Sequence, residues 1–373
     1  MNLLYFTHYN LNNNEFKGVK NKIQSQIKVF KKNKIKTSLV YFEDFKMMLL
    51  NEEKKTVLST FKNNVEKRMK MYKILNNYTM NHNIDILYIR YPSTDPNFIS
   101  FLKKQKKENR KVFLELPTYP FKNEDKSLKA FVIKSIESLN NFNLKKYVDY
   151  IVTFSNHKKI KGIPCININN GIDIEKLPLH QKTKNINKIN LIGVANISKW
   201  HGYDRIITGL YEYYKTKPQK EVYFHIVGMG NEFLNLKNLV EKLALKKYIK
   251  FHEIKIGKEL DEIFEKADIG IGSLANHRKG LKKDSALKNR EYCARGIPFI
   301  IASDDDDFSK NFKYTYKISK TEKPVNIKDI LNFYESIKNK NYPEEMREYA
   351  KNNLSWNVKM KPIINIIKGD LFE

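Results

Sequence analysis

The sequence predicts an α/β protein built from two Rossmann-like, doubly wound domains that face one another across a cleft. Three observations predict it. Short apolar runs alternate with longer amphipathic stretches through both halves of the chain, the pattern of βαβ units and parallel sheets. A polar stretch at residues 175–188 interrupts this alternation, which then restarts. The 373 residues exceed one ordinary core and suit two, and 41% hydrophobic content with 22 Phe and 22 Tyr supplies apolar material for both.

In the first half, residues 3–7 read as a strand, 18–32 as a helix and 37–42 as a strand. A long helix is expected at 57–81, then strand 84–90, helix 96–107, strand 111–116, helix 127–146 and strand 150–154. A short apolar run at 166–168 and the turn Asn169-Asn170-Gly171 lead into the polar linker. The second half reads as strand 189–195, helix 203–214, strand 222–227, helix 232–245 and strand 249–254. Helix 258–266, strand 269–274, helix 285–295 and strand 298–303 follow. Residues 1–175 are thus the first domain, 189–350 the second, and 351–373 a C-terminal helix expected to cross back to the first.

Composition narrows the function classes. The apolar run at 3–6 is too short for a secretion signal, and no stretch approaches about 18 uncharged apolar residues. The expected location is the cytoplasm. Cys165 and Cys293, far apart and in apolar surroundings, read as two buried thiols rather than a disulfide or metal cluster. The net charge of +28 admits a nucleic-acid binder, a membrane-surface protein or an enzyme with anionic substrates. A chain rich in Lys, Asn and Ile also places many lysines on a solvated surface. No recognisable nucleic-acid module is present, so nucleic acid is not the expected partner.

The stretch KGLKKDSALKNREYCARGIPFII at 279–301 carries the most chemistry. A cationic loop enters a short helix that stops at Gly296, with Pro298 beyond it. With a start at Asp284 or Ser285, the amides of Ser285, Ala286 and Leu287 suit a phosphate, and Lys288 adds a full charge. Glu291 falls on the face of Leu287 and Ala294; buried there, its carboxylate needs donors, either a ribose diol or a nearby Lys or Arg. Gly228-Met229-Gly230 lets backbone come close to a ligand or turn tightly, and Gly18 follows the first strand. The run Ser303-Asp304-Asp305-Asp306-Asp307 reads as a solvated acidic loop rather than a metal site, and no metal spacing appears among the eight histidines.

The block Ser285-Ala286-Leu287-Lys288, Arg290-Glu291-Tyr292 and Gly296-Ile297-Pro298 resembles the C-terminal domain of retaining glycosyltransferases of family 4, which have the GT-B fold. It is similar to a bacterial subgroup that builds capsule and other surface polysaccharides. The resemblance implies a loop and helix with two glutamates separated by seven residues, the second holding the nucleotide ribose. Glu291 takes the second position and Lys283 stands at the first, where the family's glutamate contacts the transferred sugar. INLIGVANISKWHGYDRIITGL at 189–210 resembles the segment that offers a basic pair to the donor diphosphate; His201 replaces the usual lysine before Gly202, with Asn196, Lys199 and Arg205 nearby.

The loops LYIRYPSTDP and FLELPTYP resemble the acceptor side, where Arg90, Glu115 and Thr118 are candidates. The family's histidine is absent from both. The resemblance implies transfer with retention, without metal or other cofactor, from a nucleoside-diphosphate sugar to a glycan or lipid-linked glycan. Lys199, Arg205, Lys288 and the 285–287 amides would stabilise the leaving diphosphate. Basic runs at 31–36 and 103–111, with the stretch 122–146, predict peripheral contact with an anionic membrane, at the inner face of the plasma membrane. A sugar-nucleotide epimerase of the same fold is the alternative enzyme, and a non-catalytic basic nucleic-acid binder the alternative of another class.

Overall fold

A computed structural model describes residues 1–117, 119, 143–181, 187–281, 283–309 and 311–369. The chain forms two compact units, residues 1–169 with 360–373 and residues 170–359. The first boundary falls at Asn169/Asn170, upstream of the polar segment expected to be the linker, part of which (182–186) lies outside the described residues.

The first unit is a nine-stranded sheet in the order β4-β3-β2-β1-β5-β6-β7-β9-β8. Its strands are β1 (Asn2–Asn10), β2 (Lys36–Glu43), β3 (Lys46–Asn51), β4 (Lys54–Thr60), β5 (Ile86–Arg90), β6 (Lys111–Leu116), β7 (Tyr150–Thr153), β8 (Lys159–Ile160) and β9 (Ile163–Asn167). β1, β2, β5, β6, β7 and β9 run parallel, and all five residues of β5 are buried, as the apolar run requires of a strand covered on both faces. The helices are α1 (Lys17–Lys32), α2 (Asn64–Asn81) and α3 (Pro96–Lys107). Asn63 caps α2 by accepting from the Glu66 amide at 2.9 Å, and Asp95 caps α3 by accepting from the Phe98 amide at 2.9 Å.

Two expectations fail here. The helix expected at 57–81 begins only at Asn64; residues 46–60 form the β3–β4 hairpin, antiparallel on the sheet edge. Positive φ at Asp44 (52°) and Glu52 (53°) turns the chain at each end of β3. Cys165 is only half-buried, whereas Cys293 is buried as expected. Most of the helix expected at 127–146 lies outside the described residues.

The second unit is a six-stranded, fully parallel sheet in the order β12-β11-β10-β13-β14-β15. Its strands are β10 (Lys188–Val194), β11 (Glu221–Val227), β12 (Ile249–His252), β13 (Ile269–Ile271), β14 (Phe299–Ile301) and β15 (Thr315–Lys317). Its helices are α4 (Tyr203–Lys215), α5 (Phe233–Lys242), α6 (Lys258–Phe264), α7 (Leu287–Arg295), α8 (Ile327–Ile337), α9 (Tyr342–Asn353) and α10 (Trp356–Lys359). The order reverses between β10 and β13, and a ligand of such a sheet binds beyond the carboxyl ends of those strands. α11 (Lys361–Lys368) belongs to the first unit, where it buries Ile363, Ile364, Ile366 and Ile367, and Lys111 Nζ donates to its Ile366 carbonyl at 3.1 Å. Among the described residues, no helix is long and apolar enough to cross a membrane.

Candidate functional site

At the β10–β13 reversal the loops that follow β10, β11 and β13 are joined into one surface. The Leu274 and Ala275 amides donate to the His201 and Trp200 carbonyls at 3.0 and 3.1 Å. Ile197 N donates to Met229 O at 2.7 Å, and at Gly228 and Gly230 a β-carbon would lie only 2.0 Å from Ala195 O and 2.2 Å from Ile197 O. With φ of 118° and 156°, these two positions demand glycine for close approach of the loops to each other. Arg278 ties the surface down: its guanidinium donates to Lys199 O at 2.7 Å and to Asp204 at 2.7 and 3.0 Å, and also pairs with Glu322.

Four buried polar atoms here have no hydrogen-bond partner: Lys288 Nζ, Ser285 Oγ, Tyr203 OH and Asn289 Oδ1. Buried polar groups are normally satisfied, so these orphans, one at the first residue of α4 and three at the start of α7, single the place out as a candidate for a polar ligand. Lys288 Nζ stands 5.4 Å from the centroid of the Tyr203 ring. Burial pushes its pKa down to about 7, against a smaller upward pull from Asp284. His201 accepts from the Ser198 amide through Nδ1 at 3.1 Å; burial, and next the charge of Lys288, hold it at about 3, so it is neutral. Lys288 is therefore the cation beside it, with the charge of Lys279, whose Nζ stands 3.0 Å from the centroid of the Trp200 ring, acting more weakly on the same histidine. Ala286 caps α7, whose opening amides at Leu287 and Lys288 have no carbonyl one turn back to bond.

The remaining expected residues are sorted by the same geometry. Asn196 and Lys199 are exposed on the loop after β10. α7 starts at Leu287 rather than Asp284 or Ser285, and the Ser285 amide is taken by Asp284 Oδ1 at 2.8 Å. Leu287 is 51% exposed, so it shares no buried face with Ala294. Glu291 does not stand ready for a ribose: its Oε1 accepts from Arg295 Nε at 3.0 Å and Nη2 at 2.9 Å, and Arg295 also pairs with Asp261 at 2.7 Å. One turn of helix brings the arginine over the glutamate, and the ion pair wins.

Arg205 is buried and spends its guanidinium on the carbonyls of Lys323 (2.9 Å), Leu274 and Ser319 (3.1 Å), so these donors hold loops of the second unit together. Lys283 pairs with Asp306 at 2.8 Å.

Asp304–Asp307 is not a solvated loop. Asp305 and Asp307 are buried against Arg290, which donates to Asp305 at 3.0 Å through both terminal nitrogens and also pairs with Asp307. Arg290 further donates to the Ala286 carbonyl at 3.0 Å and to Asn170 O at 3.0 Å. It fixes the cap of α7, a role that only partners 15 and 17 residues downstream reveal. Asp304 pairs with Lys317 and Lys320, and among the described residues no acidic, His or Cys cluster could hold a metal.

In the first unit, Gly18 is exposed within α1 with open space where a β-carbon would be, so nothing there requires glycine. Arg90 and Glu115, neighbours across β5 and β6, form a buried ion pair. Glu115, fully buried, also accepts from Tyr88 OH at 2.7 Å and Gln26 Nε2 at 2.9 Å, and Lys22 Nζ lies 3.4 Å away. Burial pulls its pKa up, but Lys22 and Arg90 outweigh it and the carboxyl is held low. Glu115 is a core counter-ion and cannot touch an acceptor. Thr118 lies outside the described residues. The sequence reading missed His8, whose Nδ1 is buried without a partner at the end of β1.

No known family model and no curated protein matches the sequence. Solved structures do. A glycosyltransferase from Rickettsia africae matches at 15% identity over 99% of this chain and 98% of its own, with a TM-score of 0.67. HepE of Anabaena, in complex with UDP, matches at 11% identity over the full length of both chains, with a TM-score of 0.62. Sucrose-phosphate synthase from Thermosynechococcus elongatus matches at 10% identity over both full lengths, also at 0.62. At such identities the likeness concerns the path of the chain, and with a doubly wound sheet in each unit it establishes the fold as that of the GT-B glycosyltransferases.

Proposed function

We propose that this chain is a glycosyltransferase that moves a sugar, with retention, from a nucleoside-diphosphate sugar to a glycan or lipid-linked glycan acceptor during surface-polysaccharide synthesis. The observation that carries the reading is the unpartnered Lys288 ammonium, with Ser285 Oγ and the opening amides of α7, at the strand-order reversal of the second unit. A diphosphate supplies what those groups lack: acceptors for each donor and negative charge for the lysine. As the sugar–phosphate bond breaks, charge grows on the departing phosphate. A desolvated ammonium and helix amides stabilise it there more than in the ground state, and a lysine makes a metal unnecessary for that purpose. HepE carries UDP in its solved complex, which supports a nucleotide ligand for a chain of this fold. Lys199 and the neutral His201 line the same loop, and contact with an anionic inner membrane surface remains part of the proposal through the basic runs of the first unit.

The test incubates the full chain with UDP-, GDP- and ADP-sugars and measures release of free nucleoside diphosphate, with and without glycan acceptors. Acceptor-dependent release that Lys288→Ala abolishes is the expected result. Conversion of the donor sugar without release would make the protein an epimerase and overturn the reading.

A further inference from the structure

Arg90 and Glu115, two of the residues that sequence reading assigned to an acceptor, are paired with each other, yet the first unit has a pocket that neither of them lines. A cavity of about 360 Å³, within the roughly 300–1,000 Å³ of small-molecule sites, is lined by His8, Tyr9, Asn10, Phe16, Asp44, Phe45, Asn64 and Lys67. It is built where the carboxyl end of β1 meets the β2–β3 turn and the start of α2.

From these residues we infer that the cavity is a saccharide subsite that takes one uncharged, polyhydroxylated ring. Three aromatic side chains supply apolar surface: Tyr9 and Phe16 meet edge to face at 4.9 Å, and Phe45 is 41% exposed at the turn. The C–H faces of a pyranose suit such rings, whose electron-rich faces attract the weakly positive hydrogens.

The polar lining decides between ligand classes. Each hydroxyl of a sugar both donates and accepts, and the cavity offers both kinds of partner: a carboxylate at Asp44, an ammonium at Lys67, amides at Asn10 and Asn64, and the His8 ring. His8 Nδ1 is buried with nothing to bond. Burial first, then the charges of Lys67 and Arg90, keep that ring neutral, while Lys67, pushed down to about 8 by burial, stays protonated at neutral pH. One negative and one positive charge therefore balance in the lining. A phosphate would face Asp44 and an ammonium ligand would face Lys67; a neutral ring faces neither problem.

The site is also built rather than incidental. Asp44 is held at a φ of 52°, a conformation that aspartate and asparagine tolerate better than most residues, and Asn10 Nδ2 donates to its Oδ1 at 2.8 Å. The hairpin that starts at this turn is the antiparallel extension of an otherwise mostly parallel sheet. On the proposed transferase reading, on which this assignment of role rests, the sugar held here is the acceptor.

The experiment applies the full-length protein to an array of immobilised mono- and oligosaccharides and, in parallel, titrates it with UDP, GDP and ADP. Wild type should be retained by a subset of the sugars. Asp44→Asn suits the turn and can accept the same bond from Asn10 while losing the negative charge, and Phe45→Ala removes an exposed ring; circular dichroism and an unchanged Tm check that both fold. Each should lower retention about tenfold or more, with nucleotide affinity unchanged. A nucleotide-binding wild type that no sugar retains, or retention that both substitutions leave intact, overturns the subsite. Sugar retention that these variants abolish, in a protein that binds no nucleotide, upholds the subsite and sinks the transferase reading instead.

Discussion

The carboxyl ends of the two sheets treat positive charge in opposite ways. In the first unit, Arg90 is buried and Lys22 half-buried beside Glu115, which accepts from both and from Tyr88 and Gln26. In the second, the Lys288 Nζ is buried with no ion-pair partner, only the more distant charge of Asp284 acting on it, next to a histidine that burial keeps neutral. The same topology thus produces one place where the cations are answered inside the protein and one where, on the proposed reading, a ligand answers. Removing a partner from the first strands buried charge, whereas the second carries that cost until the ligand binds.

This contrast is breakable. The largest effect belongs to Glu115→Leu, which strands two cations in the core and should cost about 3–5 kcal/mol in urea unfolding; a smaller loss would mean that Arg90 and Lys22 reach water. Next comes Lys288→Met. It should weaken nucleoside-diphosphate binding by about 1.5–3 kcal/mol in calorimetry, and at the same time raise the Tm of the empty protein by a few degrees, because the buried ammonium is gone. Loss of binding together with loss of stability would place Lys288 among ordinary structural residues.

The pH dependence sharpens the same point. The free lysine titrates near 7 instead of its ordinary 10.5, and a bound phosphate raises that value. Below pH 7 the site is already charged and affinity should be flat; above it each binding event takes up a proton, so affinity should fall about tenfold per pH unit. The smallest effect is expected of Glu291→Ala. Arg295 is buried but keeps Asp261 as a counter-ion, so stability should fall by only about 1 kcal/mol, and nucleotide affinity should not change. A large loss of affinity would show that a ligand pulls Glu291 away from Arg295.

The fold was readable because strands buried on both faces are continuous apolar runs, and all ten expected strands overlap strands of the two sheets. The β3–β4 hairpin escaped because KTVLST at 55–60 alternates weakly and runs into the helical stretch that follows. For the site, sequence located the helix but set its start two or three residues early, and it could not give the directions of side chains. Glu291 and Arg295 stand four apart, a local signal that favoured the ion pair all along. The partners of Arg205 and Arg290 lie in distant loops, and an orphaned atom such as Lys288 Nζ exists only once the fold is complete.

The return of the chain has a consequence for its birth. α11, with four buried isoleucines, completes the first unit, yet it is synthesised after every strand of the second. The second unit is in effect inserted into the first, so during translation it has all of its parts while its elder neighbour still lacks one. Apolar surface on the nascent first unit therefore stays uncovered until α11 leaves the ribosome, and removing α11 would make that unfinished condition permanent.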